Sequence, residues 1–238
     1  AMQRPMIDLA DPRVAALIAA CESGMRALLN SPKSDIFFYA SNGHGVWEAA
    51  SSNLGSDKHT LLIAGSGHFS DQWAIQTEGL GLSVLRTPHT EGQRINVDAI
   101  ESALRSDSTH KIAAVMVVHT DTASGITSDL LAIRQAIDRA QHPAIYVVDV
   151  VASLAATSFD MDALGVDVCL GSSQKGLMMP PGLGFVAVND KAFDWSHQHA
   201  KHRFYWSWFE RKSTVQSAKF CGTPPLAHLA GLETSLRL

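Results

Sequence analysis

The 238-residue sequence is short of cysteine, of net charge and of long apolar runs, and each shortage closes off a class of protein. Cys21, Cys169 and Cys221 are few, odd in number and scattered, so neither a disulfide framework nor a paired-cysteine metal site is indicated. A formal net charge of −4 leaves no basic footprint for nucleic acid. No apolar run approaches the roughly 20 residues that a bilayer span requires, and no signal-peptide pattern is present. A cytoplasmic protein without a membrane or nucleic-acid partner is therefore expected. What the chain does hold is apolar residue, 46% against 18% charged, the balance of a globular protein.

Apolar, β-branched runs alternate with helical patterns along the chain. "DIFFYA" (35–40), "TLLIAG" (60–65), "LSVLRT" (82–87), "IAAVMVVH" (112–119), "AIYVVDV" (144–150), "VDVCLGS" (166–172) and "GFVAV" (184–188) read as strands. Between them lie helical stretches such as "VWEAASSNL", "HFSDQWAIQTEGL", "VDAIESALRS" and "SDLLAIRQAIDRAQ". Strands apolar on both sides, alternating with helices, predict an α/β fold: a mostly parallel sheet with helices on both faces. No repeat or flexible linker divides it, so residues 1–238 are expected to form one domain. The last helical pattern, "PPLAHLAGLETSLRL", stops on apolar residues without a glycine cap or polar tail, the pattern of a chain that continues.

Ligands of open α/β sheets bind beyond the carboxyl ends of the strands, so the residues after each apolar run carry the functional signal. After the first comes "SNGHGVWEAA", where Gly43 and Gly45 permit a tight turn and the following helix offers an anion site, or simply an ordinary strand-to-helix turn. After the second comes Ser66-Gly67-His68-Phe69, whose aromatic ring is either core or a stacking surface for a flat ligand. "TDTASG" (120–125) is rich in hydroxyls that serve turns, caps and ligands alike. Asp149 stands inside "YVVDVVA", where an unpaired carboxylate would cost several kcal/mol in desolvation. It is either a strand-end cap or a buried acid aimed at a protonated partner. Lys175 sits in "GSSQKGLMMPPGLG", a loop whose glycines and prolines specify the backbone tightly. A lysine in a loop is commonly a solvated charge, but one held in an apolar pocket becomes a usable amine nucleophile. A lysine and an acid that both close strands match the needs of a pyridoxal phosphate (PLP) site, the lysine forming the Schiff base and the acid holding a proton on the pyridine nitrogen.

With these segments assembled, the chain resembles the class V aminotransferases of PLP fold type I, the alanine/serine–glyoxylate aminotransferase group. "SNGHGVWEAA", "GSGHFSDQW", "HTDTASG", "VVDVVASLAA", "GSSQKGLMMPPGLGFV" and "CGTPPLAHLAGL" follow the family order. The resemblance implies catalytic roles for Lys175, which bonds the cofactor and shuttles a proton at the substrate α-carbon, and for Asp149, which pairs with the ring nitrogen. Phe69 would stack on the ring and Thr122 would bond its phenolic oxygen. Ser41, Gly43, His44, Gly45 and Gln174 would surround the phosphate, with Thr223 supplied by the second subunit of a homodimer. Ser153 would support Asp149. Small amino and oxo acids are the implied substrates: serine, alanine or aspartate with glyoxylate or pyruvate. Relative to the family, Phe69 stands where tryptophan is frequent, and Ala123 where a hydroxyl residue is. Phe220 stands in place of tyrosine, which removes a phosphate hydrogen bond worth roughly 1.5–3 kcal/mol. The N-terminal arm and the C-terminal small domain, with its substrate-carboxylate arginine, have no counterpart in these residues.

Three alternatives accompany this reading. A class V lyase, of cysteine desulfurase or kynureninase type, is disfavoured because no cysteine occupies a mobile loop and Gln174 stands where a desulfurase usually has histidine. A truncated PLP-binding domain without turnover is the second. Metal binding by His197, His199 and His202 is the third, and no acidic or cysteine ligand lies at suitable spacing, so no metal is expected. "HRFYWSWFERK" (202–212) interleaves aromatic and basic residues, and in an acidic chain it reads as a contact surface rather than a nucleic-acid groove.

Overall fold

Most of the described helices begin where the sequence supplies an acceptor for their first free N–H groups. Asp11 caps α1 (Pro12–Leu28), with proline at the first position, and Asn42 caps α2 (Gly43–Leu54) after strand β1 (Asp35–Tyr39). β2 (Thr60–Ile63), α3 (His68–Gly79) and β3 (Ser83–Arg86) follow. Asn96 caps α4 (Val97–Ser106), which leads into β4 (Ile112–Val118). A small hairpin of β5 (Thr120–Asp121) and β6 (Ile126–Thr127) precedes α5 (Leu130–Arg139), capped by Asp129. Then come β7 (Ile145–Asp149), β8 (Val168–Ser172) and β9 (Gly184–Val188). α6 (Asp190–His199), α7 (Trp208–Arg211), α8 (Gln216–Phe220) and α9 (Leu226–Ser235) end the chain. This computed structural model describes residues 1–200 and 204–238.

The main sheet has seven strands in the order β1-β9-β8-β7-β4-β2-β3. β9 pairs antiparallel with β1 and β8, and the other neighbours are parallel, as the doubly apolar strands predicted. All seven residues of β4 are buried, because both faces of the sheet are covered. Alternation sends Ala114, Met116 and Val118 into one core and Val115 and Val117 into the other. α2, α3, α6 and α7 pack on the first face; α1, α4, α5, α8 and α9 pack on the second.

The chain leaves β2 outward to β3 through α3, then returns to the other side of β2 as β4 and continues to β7 through α5. α3 and α5 therefore lie on opposite faces, and the carboxyl ends of β2 and β4 bound a topological switch point, where open α/β sheets hold their ligands. Residues 65–69 and 119–125 leave the sheet at that point.

The segment after α6 corrects one expectation. It is not simply a surface strip: Trp208 is fully buried and stacks on Phe37 with ring centroids 6.4 Å apart, while Phe204 and Phe209 remain exposed. Arg211 is buried as well, and among the described residues no carboxylate meets it. Its guanidinium donates instead to the carbonyls of Phe38 and Lys219 at 2.9 Å and of Tyr205 at 2.7 Å. The faces of Tyr39 and Tyr205 lie 4.2 and 4.6 Å from its central carbon. Arg211 thus clips the chain before Thr223 to β1. Arg211→Met, which keeps the bulk but removes the donors, is expected to lower unfolding free energy by about 2–4 kcal/mol in urea denaturation. A loss below about 0.5 kcal/mol would show that the carbonyls find other partners.

Candidate active site

Asp149 ends β7 on the face covered by α2, and it is 3% exposed. One carboxylate oxygen accepts the Val151 N–H at 2.6 Å; the other accepts the indole N–H of Trp47 at 2.5 Å. Burial pushes its pKa up to about 6 and the nearby Asp121 carboxylate adds to the rise, while the Val151 and Trp47 donors oppose it. No cation pairs with it among the described residues. Trp47 escaped the sequence reading because a tryptophan in an amphipathic helix is ordinarily core. The one available signal was its spacing: four residues after Gly43 it returns to the same helix face.

The glycine turn lies at the start of α2. Gly43 is buried, and a Cβ there would stand 3.3 Å from Val151. At Gly45 a Cβ would stand 2.6 Å from the Cβ of Ser41, so this bend excludes a side chain. The Asn42 side-chain oxygen, Oδ1, accepts from His44 N at 3.1 Å and, weakly, from Gly45 N at 3.4 Å. These amides, expected to be free for an anion, are thus partly engaged by the helix's own cap. The His44 side chain is exposed, its ring 4.5 Å from that of Trp47, and its carbonyl accepts from Gln76 at 3.0 Å.

Phe69, in the first turn of α3, is half-buried and meets Trp47 edge-on at 6.3 Å. Its backbone N–H donates to Asp121 at 2.9 Å, and a second Asp121 oxygen accepts from Ala123 at 2.9 Å. Thr122 lies exposed between these contacts, in the β5–β6 turn. Asp121, fully buried, is the second acid that sequence reasoning passed over; in "HTDTASG" it looked like one more turn residue.

The lysine loop departs β8, which pairs with β7 so that Asp149 lies opposite Leu170. Ser173 holds the loop from inside: its N–H donates to Leu183, its hydroxyl to the Pro180 carbonyl at 2.6 Å, and its carbonyl accepts from Met179. A Cβ at Gly176 would come within 2.1 Å of the Leu154 carbonyl, so the next residue can only be glycine at this separation. Gln174 is fixed by the Ser172 hydroxyl at 2.7 Å. Lys175 itself is exposed. The chain by itself supplies a rigid backbone for the amine but not the enclosing apolar pocket expected from sequence.

One further placement differs from expectation. The Ser153 hydroxyl bonds His119 Nδ1 at 2.8 Å rather than the Asp149 carboxylate. Alternation along β4 turns His119 to the far face of the sheet, with Val115 and Val117, and Ser153 follows it there. Among the described residues the His119–Ser153 pair reaches Asp149 through the backbone, the His119 N–H donating to the Asp149 carbonyl at 3.0 Å. Thr223 is exposed between α8 and α9, and among the described residues no hydrogen bond joins it to the glycine turn. Of the histidines weighed as metal ligands, His197 stacks on Phe209 at 4.5 Å while His199 faces Trp195 at 4.2 Å; His202 lies outside the described residues.

Asp149 has a testable pH signature. Its folded-state pKa stands above the ordinary 3.8, so the folded chain holds the extra proton between pH 4 and about 6. Stability from this group is greatest below that interval and falls as pH rises through it, by about 3 kcal/mol in all. Urea denaturation should show Asp149→Asn gaining by about that much on the wild type between pH 4 and pH 7. A difference that does not change with pH contradicts the burial argument.

A model of the family described as aminotransferase class-V matches residues 4–238. The chain is 38% identical over 216 residues to a serine–glyoxylate aminotransferase of Methylorubrum extorquens, covering 89% of this chain and 54% of that protein. It is 33% identical to an L-aspartate–glyoxylate aminotransferase of Paracoccus denitrificans, covering 99% of this chain and 59% of that one. The fold matches the crystal structure of an alanine–glyoxylate aminotransferase from Nostoc with a TM-score of 0.88 at 22% identity, over 99% of this chain and 62% of that chain. The chain thus spans little more than half the length of these curated relatives. With the acid, the glycine turn and the lysine loop at strand ends along one edge of the expected α/β sheet, the chain belongs to the class V aminotransferase family.

Proposed function

We propose that this chain is the cofactor-binding large domain of a PLP-dependent aminotransferase that moves an amino group between a small amino acid (serine, alanine or aspartate) and a 2-oxo acid such as glyoxylate or pyruvate. The observation that carries this reading is Asp149: a buried acid without a cation partner among the described residues, at a strand end beside the lysine loop. The residues present fit PLP. The Gly43–Gly45 bend leaves room where side chains would intrude, at the positive end of a 12-residue helix suited to a phosphate. An acid raised to about 6 binds a protonated ring nitrogen strongly, because the partner relieves its desolvation.

When bound, PLP supplies an aldehyde that captures amines and a ring that withdraws electrons. Asp149 holds the proton on the ring nitrogen, and Trp47 and Val151 fix the direction of its carboxylate. Lys175 Nζ would take the proton from the substrate α-carbon and later return it. Phe69 would cover one face of the ring and exclude water, and Thr122 would donate to its phenolic oxygen. Ser41, Gly43, His44, Gly45 and Gln174 would surround the phosphate. Thr223 from a second copy completes that shell in a homodimer, and its exposure within one chain is consistent with such a role. We place the protein in the cytoplasm on its three unbridged cysteines. No helix among the described residues is long and apolar enough to cross a membrane.

The desulfurase alternative is weakened by the state of the two buried thiols. Burial pushes Cys21 up to about 12 and raises Cys169 well above the ordinary range, far from a reactive thiolate. Reduction with borohydride after addition of PLP is expected to leave one cofactor mass on the peptide bearing Lys175. A label on another lysine overturns the site assignment. In protein of the relatives' full length, Asp149→Asn should still accept this label while transamination falls to background, and near-normal turnover would contradict the role given to Asp149.

A further inference from the structure

We propose that Asp121 is the positioning residue that locks the two ring-contacting loops together: the start of α3, which carries Phe69, and the β5–β6 turn, which carries Thr122. The inference rests on the PLP reading of this site.

Asp121 is 0% exposed, and among the described residues no lysine, arginine or histidine pairs with it. A carboxylate so placed persists only if strong donors meet it. It divides its two oxygens between two loops. Oδ2 accepts the Phe69 N–H at 2.9 Å, and Oδ1 accepts the Ala123 N–H at 2.9 Å.

The first bond supplies what α3 lacks. Its cap residue, Gly67, has no side chain to offer the free N–H groups of the first turn, so an acid from 52 residues further along the sequence takes that place. The positive end of the helix favours the charge there. Gly67 has φ of +139°, and a Cβ on it would stand 2.9 Å from the same Oδ2. The glycine is thus what lets the carboxylate approach.

The second loop is closed by the same residue. The Asp121 carbonyl accepts the Gly125 N–H at 2.8 Å, bending the chain around Thr122, and the hydroxyls of Thr120 and Thr127 meet at 3.0 Å across its base. On the PLP reading Phe69 and Thr122 would both contact the ring, so their separation would decide whether both can touch it. Asp121 sets that separation. It acts through Phe69 and Ala123 and need not touch the cofactor.

Asparagine has the size of aspartate but one acceptor oxygen, so Asp121→Asn cannot keep both bonds. Amide hydrogen exchange should find Phe69 and Ala123 protected in the wild-type chain. In Asp121→Asn at least one of them should exchange about tenfold faster or more, while Val46, in the phosphate turn, keeps its rate. PLP and pyridoxal, which lacks the phosphate, should lose affinity by the same factor, about tenfold, because ring contacts are disturbed and phosphate contacts are not. Wild-type exchange at both amides in the variant overturns the proposal, as does faster exchange with unchanged affinity for both ligands. Absence of protection at both amides in the wild type overturns it without any variant. A wild-type chain that binds neither ligand, with Phe69 and Ala123 still protected, marks instead a failure of the PLP reading.

Discussion

The cost of taking a carboxylate out of water shapes this end of the molecule. Asp149 and Asp121 are both buried at the carboxyl edge of the sheet, and neither has a cation among the described residues. Each is tolerated because N–H groups converge on it: the Trp47 indole and Val151 on the first, Phe69 and Ala123 on the second. Those donors come from four separate elements. Satisfying two acids therefore fixes how α2, α3, the β5–β6 turn and the exit of β7 lie relative to one another. The arrangement leaves a negative field that a protonated ring would neutralise, next to a helix N-terminus that would take a phosphate.

A rigid frame around a free amine is the second feature. Ser173, Gly176 and the Pro180 carbonyl fix the backbone of the lysine loop, while the Lys175 side chain stays exposed. On the proposed reading the amine would bond a cofactor, release it and carry a proton, which needs its origin fixed and its end mobile. The frame is written in glycines and prolines, whose conformational limits act whether or not a ligand is present.

Much of this was legible in the sequence because it follows from local rules. β4 and β7 read as doubly apolar runs and are buried on both faces, and Asp149 was conspicuous as a charge inside such a run. What escaped depends on long-range contacts. Trp47 looks like any helix-core tryptophan until Asp149, 102 residues away, is placed against it. Asp121 passed as a turn residue because its donor at Phe69 comes from another loop. The Ser153–His119 bond also escaped, because strand alternation carries both to the opposite face. Arg211 breaks the rule that charges stay at the surface, since backbone carbonyls and two tyrosine faces replace water around it. No local pattern announces such a cage.

The central claim, that Asp149 is an acid kept in reserve for a protonated ring, is tested most directly by following its carboxyl carbon by NMR as pH is varied, in the chain alone and with PLP added. Alone, the group should titrate near 6. With PLP bound, a cationic partner should draw its titration down below the ordinary carboxylate range. A midpoint that stays near 6 with PLP bound would contradict the account.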